Sequence, residues 1–340
     1  MAEELKLAMV GCGAVSAMHL MGISEKAPQI RVTAAVDPVR ERAEGLAAQT
    51  GAQPFPTFAE ALEKGDFDAV DLMLPHDLHE EFAVSAFEAG KHVLLEKPMA
   101  TTPAACDRIM AAAARAATVF MVAENAQYWP EVVRAKQLMD EGAIGKVITA
   151  RAAVNMPLMR DNPFYSGDNP WRFDKKASGG GISLDVGSHW IRPLRMWLGE
   201  IDEVVAALDR PAEEMEGESL VRALFRFRSD CYATFDAGMF PDAVVGPDAL
   251  FRITGTGGEM VIESTAGGRL VLYNADNPRG LKEEPEGYLK SYAPEFEDFA
   301  LAVLEGRPLA AGPEESIGEL RTALAMYRSA ESKRWEKVWD

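Results

Sequence analysis

The chain has 340 residues, of which 48% are hydrophobic and 26% charged, and its formal net charge is −18. That length suits two domains better than one core, and the composition is that of an ordinary globular protein. The balance of 35 Lys and Arg against 53 Asp and Glu excludes nucleic acid and anionic membrane as expected partners, since both call for a basic surface.

The acidic start Met1-Ala2-Glu3-Glu4 lacks the basic and apolar regions of a signal peptide. A strand is expected over residues 5–10, then Gly11-Cys12-Gly13 and a helix to about residue 26. A second strand over 31–36 ends in Asp37. A helix over 39–50 stops at Gly51. Thr57 is placed to cap a helix over 58–64. A strand over 69–74 ends at Pro75, a helix over 78–89 stops at Gly90, and a strand over 92–95 follows. A helix over 102–117 and a strand over 119–123 complete the alternation. The alanine-rich stretch there is interrupted by Arg115 and too short to span a bilayer. Strands and helices at this spacing imply right-handed βαβ units and a parallel sheet. Residues 1–124 are therefore expected to form a Rossmann-type nucleotide-binding domain in a doubly wound α/β fold.

The pattern then changes. A helix over 131–141 precedes a strand over 146–155. Residues 156–177 are rich in Pro, Asn, Asp and Gly and read as a long irregular segment, of the kind that is often functional. Gly179-Gly180-Gly181 leads into an expected helix over 183–198. Strands are expected near 204–208, 220–227, 232–238, 250–254, 260–263 and 270–273, followed by helices over 296–304 and 314–332. Residues 125–340 thus read as an α+β domain with an open, mostly antiparallel sheet.

Three motifs carry chemistry. Gly11-x-Gly13-x-x-Ser16 lies between a strand and a helix, with Asp37 where a ribose-binding acid belongs. The first glycine permits the turn, the second lets backbone approach a pyrophosphate, and the helix N-terminus faces the anion. Asp37 favours NAD because it would repel a 2′-phosphate; Arg40 and Arg42 are close enough to leave NADP open. Glu96-Lys97-Pro98 closes the apolar run Val93-Leu94-Leu95, so Lys97 points into the crevice where such sheets bind ligands. The proline biases Lys97 toward extended backbone and is able to take the cis form. In Asp185-x-Gly187-x-His189, helical spacing would put carboxylate and imidazole on one face, as for an oriented general base. Pro75-His76-x-x-His79 has metal-pair spacing but no supporting carboxylate cluster. It is read as a loop beside the dinucleotide whose histidines satisfy backbone groups. The cysteines Cys12, Cys106 and Cys231 are odd in number and far apart. No disulfide and no metal are expected, and a cytoplasmic enzyme is the default.

The segment GCGAVSAMH, Glu96-Lys97-Pro98, Ala123-Glu124-Asn125-x-x-Tyr128-x-Pro130, Ile144-Gly145-Lys146-Val147 and GGGISLDVGSH occur in that order. Together they resemble the Gfo/Idh/MocA oxidoreductases over nearly the whole chain. The resemblance implies an NAD(P)-dependent oxidoreductase acting on a sugar, cyclitol or related polyol. It implies catalysis by Lys97 and His189, with Asp185 positioning substrate and His189. It implies a cofactor site at Gly11, Gly13, Ala14, Val15, Asp37, Pro75, His76, His79, Glu96, Lys97 and Asn125. It also implies a homodimer or homotetramer formed through the C-terminal sheet. The substrate side is expected at Asn155, Tyr165, Trp171, Arg172, Asp185 and His189. Residues 151–197 hold seven Lys or Arg against four Asp, which reads either as an anionic substrate group or as interface ion pairing. The chain departs from the family pattern at Ser16, His76, Gln127, Arg192 and Pro193, so no relative's substrate carries over directly. Two other readings stay open: a dihydrodiol dehydrogenase, and a non-catalytic dinucleotide sensor.

Overall fold

A computed structural model describes residues 4–158, 164–165, 170–241, 250–264 and 268–339. They form two compact units, Met1–Ala123 with Tyr292–Ile317, and Glu124–Ser291 with Gly318–Asp340.

The first unit is built on six parallel strands: β1 (Leu5–Val10), β2 (Ile30–Val36), β3 (Gln53–Phe55), β4 (Ala69–Leu72), β5 (His92–Glu96) and β6 (Phe120–Ala123). Their order across the sheet is β3-β2-β1-β4-β5-β6, the doubly wound arrangement. Strands buried on both faces read as continuous apolar runs, as residues 7–10 in β1 and 93–95 in β5 do. Asp71 is the exception, a fully buried carboxylate in β4. The short strand β3 was not expected; three residues containing Pro54 hold no pattern, and an edge position tolerates the proline. Thr57 and Thr102 cap their helices through Glu60 N and Ala105 N, both at 3.2 Å. The helix expected over 78–89 opens as a 3-10 turn, His76–Leu78, before the α-helix His79–Glu88.

The helix Tyr292–Glu305 belongs to this unit, although a single second domain running to residue 340 was expected. It packs on the helix Ala14–Lys26. A Cβ at Gly22 would lie 2.7 Å from the Tyr292 carbonyl oxygen, so the two backbones meet there. The His19 ring lies edge-on to Phe296, with centroids 5.1 Å apart. A chain that leaves a domain and returns cannot be read from one continuous pattern.

The second unit holds a nine-stranded sheet. Its strands are β7 (Val147–Pro157), β8 (Ile201–Asp209), β9 (Leu220–Phe227), β10 (Tyr232–Phe240), β11 (Phe251–Gly255), β12 (Gly258–Ser264), β13 (Arg269–Asn274), β14 (Leu281–Glu283) and β15 (Glu336–Lys337). The order is β14-β13-β12-β11-β7-β10-β9-β8-β15. Among the described residues only β7 and β10 pair in parallel, and the other pairs are antiparallel. Alternation along the strands sends Phe225, Phe235 and Phe251 to one face. The helix Ser188–Leu198 covers that face, with Trp197 edge-on to Phe251 at 5.0 Å. No helix of the described residues is long and apolar enough to cross a membrane.

Gly22→Val should separate the two backbones at Tyr292 and destabilise the protein by about 2–3 kcal/mol, the usual cost of overpacking, as read by urea unfolding.

Candidate functional site

The first group of functional side chains stands at the carboxyl ends of the parallel strands. β1 runs into Gly11, whose φ of 92° suits glycine and whose Cβ would strike the Met73 carbonyl oxygen at 2.1 Å. Gly13 precedes the helix Ala14–Lys26 with an ordinary φ of −83°, and a Cβ there would meet nothing within 4 Å. Neither backbone nor neighbours demand that glycine. Its use is the space it leaves in front of the first-turn N–H groups of Ala14 and Val15, where a pyrophosphate fits; Ser16 N already donates to the Gly13 carbonyl at 3.2 Å. Ser16 folds back on the loop, its hydroxyl donating to the Gly13 carbonyl at 2.7 Å.

Asp37 is buried and accepts from Cys12 N at 2.9 Å and Val39 N at 2.8 Å. Its carboxylate therefore pins the glycine loop to the end of β2. Each oxygen keeps a second lone pair for a ribose hydroxyl. Arg40 is exposed and paired with Glu44. Burial, reinforced by Asp37, pushes the Cys12 thiol up to about 12, so it stays a neutral thiol. These residues fit a dinucleotide.

Lys97 follows β5, is 9% exposed, and is joined to Pro98 by a cis peptide bond. Two features hold its loop. The buried His79 ring spans the Pro98 carbonyl oxygen at 2.9 Å and the Leu74 carbonyl oxygen at 3.0 Å. His79 is thus a scaffold, with both nitrogens turned to backbone rather than to a cofactor, and only its satisfaction of backbone groups survives from the sequence reading. His76 packs against it at 5.5 Å between ring centroids, near Pro75. The second feature is Glu96, whose Oε2 accepts from Lys97 N at 3.1 Å. Its Oε1 lies 3.0 Å from His19 Nε2, and His19 Nδ1 lies 2.8 Å from Asp71. Burial works against charge on His19, but Asp71 and then Glu96 overcome it and hold the imidazole well above its usual range. Sequence reasoning missed His19 and Asp71. The available signals were a histidine three residues after Ser16 on the helix's inner face, and the one charge in Ala69-Val70-Asp71-Leu72.

The second unit supplies His189. Its Nδ1 donates to Glu124 Oε1, which also accepts from Ala126 N at 3.1 Å. Glu124 is 2% exposed and opens the 3-10 turn Asn125–Tyr128. The carboxylate bonded to His189 is therefore Glu124, where Asp185 was expected. The helix begins at Ser188, and Asp185 lies in the turn that leads into it. Glu218 holds the start of this turn: its carboxylate accepts from Gly181 N at 3.0 Å and Ser183 N at 2.9 Å. Cβ atoms at Gly180 and Gly181 would collide with the Tyr327 hydroxyl and the Glu218 carbonyl, at 2.1 and 1.9 Å, which accounts for the glycine run.

Asp185 instead accepts from Arg172 Nε at 3.0 Å. Arg172 also donates to the Phe164 carbonyl at 3.2 Å and lies over the Trp171 ring at 4.2 Å. Tyr165 stacks on Phe173, and burial, with Asp185 nearby, pushes its phenol up. Tyr165, Trp171, Arg172 and Asp185 thus form one cluster. Asn155 does not join it. Ala152 pairs with Phe251 on the helix-covered face, and odd spacing turns Asn155 to the other face, where Arg222 reaches it at 3.4 Å. Asn125 donates to Ser291 at 3.0 Å.

The local basic excess is largely internal pairing. Arg192 and Arg195 are buried on Glu319, and Arg195 also binds Glu200 at 2.6 Å. Arg160, Asp161 and Asp168 lie outside the described residues. Among the described residues, no group of three or more His, Cys, Asp or Glu is placed to hold a metal ion.

Residues 5–124 match the family model described as the oxidoreductase family with an NAD-binding Rossmann fold, and residues 132–261 match the GFO/IDH/MocA C-terminal domain. A 1,5-anhydro-D-fructose reductase from Ensifer adhaerens is 30% identical over 300 residues, 85% of this chain and 86% of the relative. A myo-inositol 2-dehydrogenase from Thermotoga maritima is 25% identical over 98% of each chain. The crystal structure of an oxidoreductase from Thermotoga maritima superposes with a TM-score of 0.86 at 28% identity, covering 98% of each chain.

Gly13→Ala separates stability from binding. The variant should melt within about 2 °C of the parent, since nothing in the protein opposes the methyl, yet bind NADH at least about tenfold more weakly. Differential scanning calorimetry and nicotinamide fluorescence titration read the two quantities.

Proposed function

We propose a reaction on one premise: the chain belongs to the Gfo/Idh/MocA family of NAD-binding oxidoreductases. The reading is reversible hydride transfer between nicotinamide and a secondary alcohol or ketone of a sugar, cyclitol or related polyol. Relatives named for 1,5-anhydro-D-fructose and for myo-inositol support that substrate class. The carboxylate of Asp37 supports NAD over NADP.

The observation that carries the mechanism is the bond from His189 Nδ1 to the buried Glu124 carboxylate. With Nδ1 donating, Nε2 holds the lone pair. In oxidation, His189 Nε2 takes the hydroxyl proton, and Glu124 stabilises the imidazolium that forms. Lys97 is read as the donor that steadies negative charge developing on the reacting oxygen. Arg172, tied to Asp185 and stacked on Trp171, binds neighbouring hydroxyls of the substrate, with Tyr165 beside it. Bound NAD supplies the hydride acceptor, and its reduced form the donor in the reverse direction. The same reading carries a cytoplasmic location and a homodimer or homotetramer formed through the second-unit sheet.

The test follows NADH absorbance with myo-inositol plus NAD and with 1,5-anhydro-D-fructose plus NADH. Lys97→Ala should lose turnover by about 10³-fold or more while NADH binding stays largely intact. Glu124→Gln should lower kcat by about 10²-fold or more, because the amide no longer stabilises the imidazolium. Unchanged turnover in Lys97→Ala would sink the assignment.

A further inference from the structure

Beneath the Lys97 loop lies a charged cluster that proton and hydride transfer do not touch. His19 and Asp71 are both fully buried. The two ring nitrogens of His19 face carboxylate oxygens, Asp71 Oδ2 at 2.8 Å and Glu96 Oε1 at 3.0 Å. A neutral imidazole has one N–H and one lone pair, so one of these contacts would set a lone pair against a carboxylate. With both acids ionised both nitrogens donate, and although burial works against charge on the ring and on Asp71, the two carboxylates hold the imidazole well above its usual range. The groups facing the ring are Asp71 from β4, Glu96 from β5, and the Tyr292 and Phe296 rings of the helix Tyr292–Glu305. The aromatic pair screens the cation from water.

We infer that His19 is a positioning residue for Lys97: an imidazolium clamped between Asp71 and Glu96, it fixes the Glu96 carboxylate that in turn holds the Lys97 amide. The inference rests on the reading of Lys97 as the donor to the reacting oxygen. One oxygen of Glu96 is spent on His19 and the other on Lys97 N, at 3.1 Å. A planar carboxylate tied at both oxygens has little rotational freedom left. His79 takes the Pro98 carbonyl, so the backbone around Lys97 is held upstream by Glu96 and downstream by His79. The side chain is aimed by the backbone fixed on either side of it.

The experiment uses the NAD-loaded protein and His19→Gln, which keeps a donor but cannot bridge two carboxylates as a cation. Amide hydrogen exchange should run at least about tenfold faster at Lys97 while Val93 and Leu95, inside β5, keep their parent rates. With myo-inositol or 1,5-anhydro-D-fructose as probe, kcat should fall about 10- to 100-fold with KM within about threefold. In the parent protein, nitrogen-15 spectra should show His19 doubly protonated near neutral pH. Unchanged protection at Lys97, a uniform loss of protection along β5, or a neutral His19 would each overturn the inference. Should His19→Gln fail to fold, Glu96→Gln carries the same expectations, because its single carbonyl oxygen cannot serve both donors. Full turnover in Lys97→Ala removes the catalytic reading of Lys97 and leaves the exchange result to stand or fall by itself.

Discussion

Asp71 brings a charge into a strand whose other residues are apolar, and His19 answers it from the helix that follows the glycine loop. A buried carboxylate without a partner costs several kcal/mol, about 3–5 when one member of a pair is removed. That cost ties the helix to β4, and Glu96 extends the tie to the end of β5. The elements that carry the glycine loop and Lys97 are therefore held by the same ionic bridge. Around it the rest of the first unit is conventional: continuous apolar strands, capped helices, and a closing helix seated where Gly22 lets backbone touch backbone.

The second unit solves a related problem with a different carboxylate. Glu218 accepts from two backbone N–H groups of the turn before the helix, and the glycines beside it allow the approach. The helix then starts at Ser188, and its second residue, His189, meets Glu124. Asp185, in the turn before the helix, accepts from Arg172. Two acids thus differ from the expectation: Asp185 binds an arginine, and Glu124, outside the Asp-x-Gly-x-His motif, bonds to the histidine.

The Rossmann half was legible because its signals are local. Apolar runs of strand length, glycine stops and threonine caps sit next to the elements they control. The placement of Gly11, Gly13 and Asp37 at strand ends was legible for the same reason, since it follows from position after a strand. The face that Asn155 occupies was not legible, because it depends on register with Phe251 and Gly238, far along the chain. His79 was half legible: its burial under the Lys97 loop was visible only once Pro98 and Leu74 stood on either side of it.

From the sequence alone came the family, the parallel and open sheets, and the residue types able to move a proton and steady a developing charge. Those depend on periodicity and on short motifs, which neighbouring residues determine. Which acid bonds to which base was settled only by tertiary structure. Glu124 and His189 lie 65 positions apart, and His19 and Glu96 lie 77 apart. A carboxylate buried beside an imidazole is specified by packing, because hydrogen bonds of this kind are short and directional while the chain that joins their partners is long.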